Sequence, residues 1–275
     1  MKAVSKLQKA LEKAKEARGD SLESLTLVPE VPEASDKGSV ACLKRQEIPA
    51  PVYFQTRKLP VDFNQLIQNR IIPICHGNPA ADRIKILRTQ VLSRMTEEGK
   101  NTLLITSANP GEGKTLTAIN LAISIAHEMD RTTLLVDTDL RKPSIHSYFG
   151  FEASRGLSDY LKEGTPISDL LISPGIEKLV ILPGGQPMSN SSELLGSPRM
   201  EALVKELKER YPDRFIIFDS SSLLTCADAL VFSRFIDGIL IVVEAERTTR
   251  SDLKRTFEML GDKPVIGTLL NKSRD

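Results

Sequence analysis

The sequence predicts a doubly wound, mostly parallel α/β sheet, and three observations carry that prediction. Apolar β-type runs alternate with helical patterns from residue 102 to the end of the chain. One of these runs is followed by a glycine-rich loop and a helix, Ser107-Ala108-Asn109-Pro110-Gly111-Glu112-Gly113-Lys114-Thr115. Two further runs end in aspartate, at Asp137 and at Asp219. In open sheets of this class, ligands bind beyond the carboxyl ends of the strands.

The chain has 275 residues, enough for one such domain and an extension. Hydrophobic residues make up 40% and charged ones 27%, so the class is globular. A net charge of +1 argues against a dominant nucleic-acid surface. No apolar run approaches the roughly 20 residues needed to cross a bilayer. The start, Met1-Lys2-Ala3-Val4, lacks the apolar core of a secretory signal. Cys42, Cys75 and Cys226 form no C-x-x-C pair, which suits a reducing compartment. His76, His127 and His146 are equally scattered and are expected on the surface or in packing, not as metal ligands.

Residues 1–18 place Val4, Leu7, Leu11 and Ala14 on one helical stripe. Six basic and three acidic side chains fall in the first twenty residues, and no aromatic anchor is present. The expectation is an amphipathic helix that docks on a protein partner more readily than on lipid. Residues 19–60 hold Pro29, Pro32, Pro49, Pro51 and Pro60 with little periodicity and read as a flexible linker. The folded domain is expected over 61–275. Helical spacing resumes from Asp82 to Met95 through Ile84, Leu87, Val91 and Leu92. Strands are expected at 102–106, 133–137, 178–182, 214–218, 238–243 and 264–270, and helices at 115–129, 197–210, 226–234 and 248–260.

The glycine-rich run has the strand–loop–helix context of a phosphate-binding loop. Glycines let successive N–H groups turn toward one anion, and the helix that follows points its positive end the same way. Asn109, Pro110, Gly111, Glu112, Gly113, Lys114, Thr115 and Leu116 are the candidate nucleotide contacts. Lys114 is placed to reach the β- and γ-phosphates, and Thr115 to hold Mg²⁺ through its hydroxyl. Ala108 stands where the usual pattern has its first glycine.

Asp137 and Asp139 follow a buried strand two residues apart, so in an extended chain both carboxylates face one side. One suits a magnesium ion or its water shell, the other an attacking hydroxyl. Arg141 has two readings, neutralising phosphate charge or pairing with a carboxylate. Asp219 ends Phe215-Ile216-Ile217-Phe218 and suits a second metal-side acid, against the alternative of a helix cap.

The segments P-G-E-G-K-T, L-L-V-D-T-D-L-R-K-P and F-I-I-F-D, in this order, resemble those of the bacterial tyrosine kinases built on a P-loop fold, which is related to that of the partitioning ATPases. Gly156-Leu157-Ser158-Asp159-Tyr160-Leu161, Leu182-Pro183-Gly184-Gly185 and Ser192-Glu193-Leu194-Leu195 extend the likeness, which covers about residues 60–272. Glu193 to Asn271 looks most like the subgroup encoded with exosortase-linked exopolysaccharide loci. The resemblance implies transfer of phosphate from Mg·ATP to tyrosine, in control of exopolysaccharide or capsule synthesis. It implies Lys114, Asp137, Asp139 and Arg141 as the catalytic set, Thr115, Asp139 and Asp219 for the metal, and Asn271 against adenine. Its implied partners are a membrane polysaccharide co-polymerase, a cognate tyrosine phosphatase and other copies of the chain. Its implied location is the cytoplasm, at the inner face of the membrane.

Four departures qualify this resemblance. No tyrosine-rich tail follows Asn271; the four tyrosines are Tyr53, Tyr148, Tyr160 and Tyr211, with Tyr53 in the linker the accessible one. The family's self-association helix, E-x-x-R-x-x-R, here reads Asp82-x-x-Lys85-x-x-Arg88, and a lysine lacks the guanidinium fork. Ser220-Ser221-Ser222 replaces the usual prolines, so a looser loop is expected. No fused membrane segment is legible, so a separate membrane subunit is implied. Two rival functions follow: a nucleotide-gated regulator of the co-polymerase without kinase activity, and a partitioning-type ATPase, which Asn109 in place of that family's loop lysine disfavours.

Overall fold

Strong β-formers at the centre of the chain dictate the scaffold. In a computed structural model, which describes residues 56–72, 78–96, 99–210 and 213–273, they form one eight-stranded sheet. The helix expected at 1–18, nearly all of the linker, Tyr53 and Tyr211 lie outside the described residues.

The sheet is laid out in the order β1-β4-β5-β3-β6-β2-β7-β8. Its strands are β1 (Arg57–Lys58), β2 (Thr102–Ser107), β3 (Thr132–Asp137), β4 (Ile172–Ser173), β5 (Leu179–Leu182), β6 (Arg214–Asp219), β7 (Gly238–Glu244) and β8 (Val265–Asn271). Every pairing is parallel except β4 with β5. All six residues of β2, of β3 and of β6 are buried, as parallel strands covered on both faces must be.

The alternation of side chains along the strands divides the core in two. Leu103, Ile105, Leu135, Ile217 and Val242 pack on one face with α3 (Lys114–Ala126). Leu104, Val136, Ile216, Phe218 and Ile241 pack on the other with Met200, Leu203 and Leu207 of α7 (Pro198–Arg210). Helix α3 is buried nearly all round, because β3 lies against it on one side and α2 (Pro79–Thr96) on the other. The remaining helices are α1 (Phe63–Gln68), α4 (Ile145–Phe149), α5 (Leu157–Glu163), α6 (Ser191–Leu195), α8 (Asp228–Phe232) and α9 (Arg250–Leu260).

The six strands expected from the sequence are present, with ends that agree within one residue. Two short strands were not anticipated. Arg57–Lys58 pairs with Ile172–Ser173, so the sheet takes in residues ahead of the expected start at 61. Two-residue strands carry no periodicity and form only where tertiary contacts supply a neighbour. The helix expected at 226–234 narrows to α8, followed by a 3₁₀ turn at Ser233–Phe235.

A second difference concerns the serine triplet, which is not a loose loop. Ser220, Ser221 and Ser222 are all buried. The Ser220 hydroxyl donates to the Ile105 carbonyl at 3.0 Å, Thr106 Oγ1 donates to the Ser221 carbonyl at 2.8 Å, and Ser222 Oγ meets Thr225 Oγ1 at 2.8 Å. Leu223 and Leu224 donate backbone N–H groups to the carbonyls of Ser107 and Ala108. Hydroxyls bonded to the neighbouring strand provide the rigidity that prolines provide through a fixed φ.

Candidate nucleotide and phosphoryl-transfer site

Strand order brings the three motifs together. β3, β6 and β2 are consecutive in the sheet, so Asp137, Asp219 and the loop after Ser107 end side by side. Asp137 and Asp219 are register partners, and Asp219 is in turn paired with Ile105.

The loop takes a shape only glycine tolerates. Gly111 and Gly113 have φ of +84° and +98°. A Cβ on Gly113 would lie 2.1 Å from the Asn271 amide nitrogen. Gly113 is also the N-terminal boundary of α3, whose first N–H groups have no partner within the helix. Those donors and the positive end of the helix define an anion site.

Around that site, Lys114 lies 3.6 Å from Asp139, with both side chains largely buried. The Asp139 carboxylate also accepts the Lys142 N–H at 3.2 Å. Asp137 is fully buried and accepts the N–H groups of Ser144 at 2.8 Å and Ile145 at 3.0 Å through Oδ2, and of Asp139 at 3.2 Å through Oδ1. It therefore anchors the start of α4 while keeping its place at the strand end. Burial pushes its pKa up to about 7, against those backbone donors.

Asp219 is different. It is fully buried, and among the described residues no N–H group reaches either carboxylate oxygen; only the Thr115 hydroxyl stands beside it. It caps no helix, since α8 begins at Asp228. Burial pushes its pKa up to about 8, opposed by the nearby Lys114 charge. A buried carboxylate with no N–H donor is costly to ionise unless a cation completes it. Asp219, with the Thr115 hydroxyl beside it and Asp139 at the rim, is a set of hard oxygen donors that fits Mg²⁺.

Arg141 adopts the second of its two readings in this structure. Its Nε lies 3.2 Å from Oδ2 of Asp228, a fully buried carboxylate that also accepts the Ser191 hydroxyl at 2.5 Å. Asn109 donates to Asp252 at 3.3 Å, and Asn271 donates to the Glu112 carbonyl at 2.9 Å. Asn271 and Leu116 line a cleft of about 320 Å³ with Thr117, Asn120, Leu269 and Lys272. Pro110 and Gly111 form the tip of the loop, and the Lys272 ammonium donates to the Gly111 carbonyl at 2.8 Å.

The quoted motifs that follow β3 pack on one another behind the site. A Cβ on Gly156 would sit 2.1 Å from the Pro183 carbonyl, and one on Gly184 would sit 2.8 Å from the Pro143 ring. Tyr148 and Tyr160 are in folded segments, Tyr148 against the core and Tyr160 donating to the Arg199 carbonyl at 3.5 Å. On α2, Lys85 pairs with Asp82 at 2.8 Å and Arg88 with Glu128 at 2.7 Å, all within the chain. Thr248, Asp252 and Lys272 were not singled out from the sequence. Asp252 is marked locally only as part of the Thr249-x-x-Asp252 capping box of α9, and no local signal ties any of the three to the loop, because their contacts with it span more than 130 residues.

The fold and this site define a P-loop nucleotide-binding domain. No family model matches the chain. The CapB protein of Staphylococcus aureus is 31% identical over 203 residues, which cover 72% of this chain and 87% of that protein. Tyrosine-protein kinase YwqD of Bacillus subtilis is 30% identical over 193 residues, covering 70% of this chain and 80% of that protein. The kinase domain of Escherichia coli tyrosine kinase ETK superposes with a TM-score of 0.69 at 25% identity, covering 82% of this chain and 92% of that domain. The chain belongs to the bacterial tyrosine-protein kinase family.

Proposed function

We propose that this chain transfers the γ-phosphoryl group of ATP to a tyrosine hydroxyl, in the control of capsule or exopolysaccharide synthesis. The observation that carries the reading is the Asp219 carboxylate, buried with no N–H donor among the described residues, beside Thr115 and next to the loop that ends in Lys114. The glycine-loop N–H groups and Lys114 hold the β- and γ-phosphates, and the cleft beside Asn271 and Leu116 takes the adenosine. Mg²⁺ held through Thr115, Asp139 and Asp219 supplies charge neutralisation on the transferring group. Asp137 accepts the proton of the attacking tyrosine. Its raised pKa, about 7, matches a base that works near neutral pH.

The acceptor is a tyrosine on another chain or on the segment around Tyr53. A membrane polysaccharide co-polymerase is the partner we assign, reached through residues 1–18, with a tyrosine phosphatase reversing the modification. Self-association through α2 uses Asp82, Lys85 and Arg88, which within the chain pair as Lys85 with Asp82 and Arg88 with Glu128. No helix among the described residues is long and apolar enough to cross a membrane.

Incubating the full chain with Mg·ATP and mapping phosphotyrosine by mass spectrometry tests the reading, beside Lys114→Met and Asp137→Ala. Phosphotyrosine present in the parent and absent from both variants is the expected result. Confirmed ATP binding with no phosphotyrosine on the chain or on added co-polymerase would overturn it.

A further inference from the structure

The phosphate loop of this chain does not hold its own shape. Gly111 and Gly113 both sit in left-handed conformations, and the peptide units between Asn109 and Gly113 belong to neither strand nor helix. Leu223 and Leu224 hold its start from the Asp219 side, and what holds Asn109 to Gly113 lies on the side away from Asp137 and Asp219. β7 is the neighbour of β2 opposite to β6, and the turn from Glu244 into α9 rises next to the loop.

Four side chains reach the loop from this side: Asn271, which donates to the Glu112 carbonyl, and Thr248, Asp252 and Lys272. The Thr248 hydroxyl donates to Glu112 Oε1 and at the same time accepts the Glu244 N–H at 2.9 Å. Its single proton is thereby committed to Glu112. Asp252, which also completes the capping box of α9 with Thr249, accepts the Asn109 amide at 3.3 Å. Lys272 bridges the Gly111 carbonyl at 2.8 Å and the Glu244 carboxylate at 3.1 Å. Glu112 is 1% exposed, and its second oxygen, Oε2, has no hydrogen-bond partner among the described residues. Among the described residues, the Thr248 hydroxyl is therefore the one side-chain donor to this buried carboxylate.

We propose that Thr248 is a positioning residue for nucleotide binding: it locks Glu112, and with it the N–H groups of Gly111 to Lys114, in the shape that accepts phosphate. Asp252 and Lys272 complete the clamp at Asn109 and Gly111. Thr248 and Asp252 lie outside the cleft assigned to adenosine, whereas Lys272 also lines it. The inference rests on the reading that this loop binds Mg·ATP. A buried acceptor deprived of its donor drives a rearrangement that frees it, and here the rearranging backbone is the anion site itself.

The experiment compares the full chain with Thr248→Val, which keeps the shape and loses the hydroxyl, and Thr248→Ser, which keeps the hydroxyl. Two quantities are read: Mg·ATP affinity by calorimetry, and amide hydrogen exchange over residues 110–114 without nucleotide. For Thr248→Val, affinity should fall about tenfold, with KM raised and kcat changed by less than about twofold, the pattern of lost uniform binding. Exchange over 110–114 should quicken while β7 and β8 stay protected. Thr248→Ser should restore both. Unchanged affinity and exchange in Thr248→Val would overturn the clamp, and so would a serine variant as impaired as the valine one. Failure of the parent chain to bind Mg·ATP would instead sink the nucleotide reading. The exchange arm, run without nucleotide, would still report on the clamp.

Discussion

Asp137 and Asp219 face each other as register partners at the carboxyl ends of β3 and β6, both fully buried. Burial raises the cost of ionising each, the Asp139 charge adds to it for Asp137, and the Asp137 charge adds to it for Asp219. The backbone N–H groups at the start of α4 offset that cost for Asp137, whereas Asp219 has no such donors.

Stability without metal should therefore fall with rising pH. The folded-state pKa values, about 7 and about 8, lie above the ordinary value of 3.8. Between about pH 4 and pH 8 the folded chain binds more protons than the unfolded chain, so stability decreases across that window. Thermal melts of the metal-free chain should show a lower midpoint at pH 8 than at pH 6. Asp219→Asn should flatten the profile and, in the same sample, remove the gain in ATP affinity that Mg²⁺ confers. An Asp219→Asn profile as steep as the parent's would refute the assignment.

Lys114→Met removes the cation from both the phosphate site and Asp139. A hydrogen bond to a charged group contributes about 1.5–3 kcal/mol, so ATP affinity should drop about ten- to hundredfold. Calorimetric titration reads this directly. A drop below threefold would mean that the lysine is not a phosphate ligand here.

Arg141 pairs with Asp228, and its removal leaves a fully buried carboxylate with the Ser191 hydroxyl. Because the Arg141 side chain is 42% exposed, Arg141→Gln should cost about 1–3 kcal/mol, less than a fully buried pair. Urea denaturation measures that cost. Unchanged stability together with weakened ATP binding would return Arg141 to the phosphates.

Gly156 lies against the Pro183 carbonyl with no space for a methyl group. Gly156→Ala should lower stability by about 1–3 kcal/mol in urea denaturation, through overpacking where the two motifs meet. A neutral substitution would show that this junction yields.

Deleting residues 1–18 should leave Mg·ATP affinity unchanged and reduce co-fractionation with membranes that carry the partner subunit. Equal fractionation of parent and truncated chains would sink the recruitment role.

The sheet was legible in the sequence because its central strands are continuous apolar runs bounded by turn residues, a pattern set by burial on both faces. The phosphate loop was legible because a backbone curled through positive φ demands glycine at Gly111 and Gly113, and because Lys114 and Thr115 follow in strand–loop–helix order. The acids at the strand ends were legible as candidates, yet their partners were not. Only the strand order brought β6 between β3 and β2, which made Asp137 and Asp219 neighbours and set Asp219 beside Thr115 with no N–H donor among the described residues. Only tertiary contact committed Arg141 to Asp228, packed the serine triplet into the sheet and set Thr248 on Glu112. Local sequence encodes what one segment does with its own backbone, and that is enough to declare a strand, a glycine turn or a helix start. The environment of a charged side chain depends on groups from 80 to more than 150 residues away, brought close by the packing of the sheet.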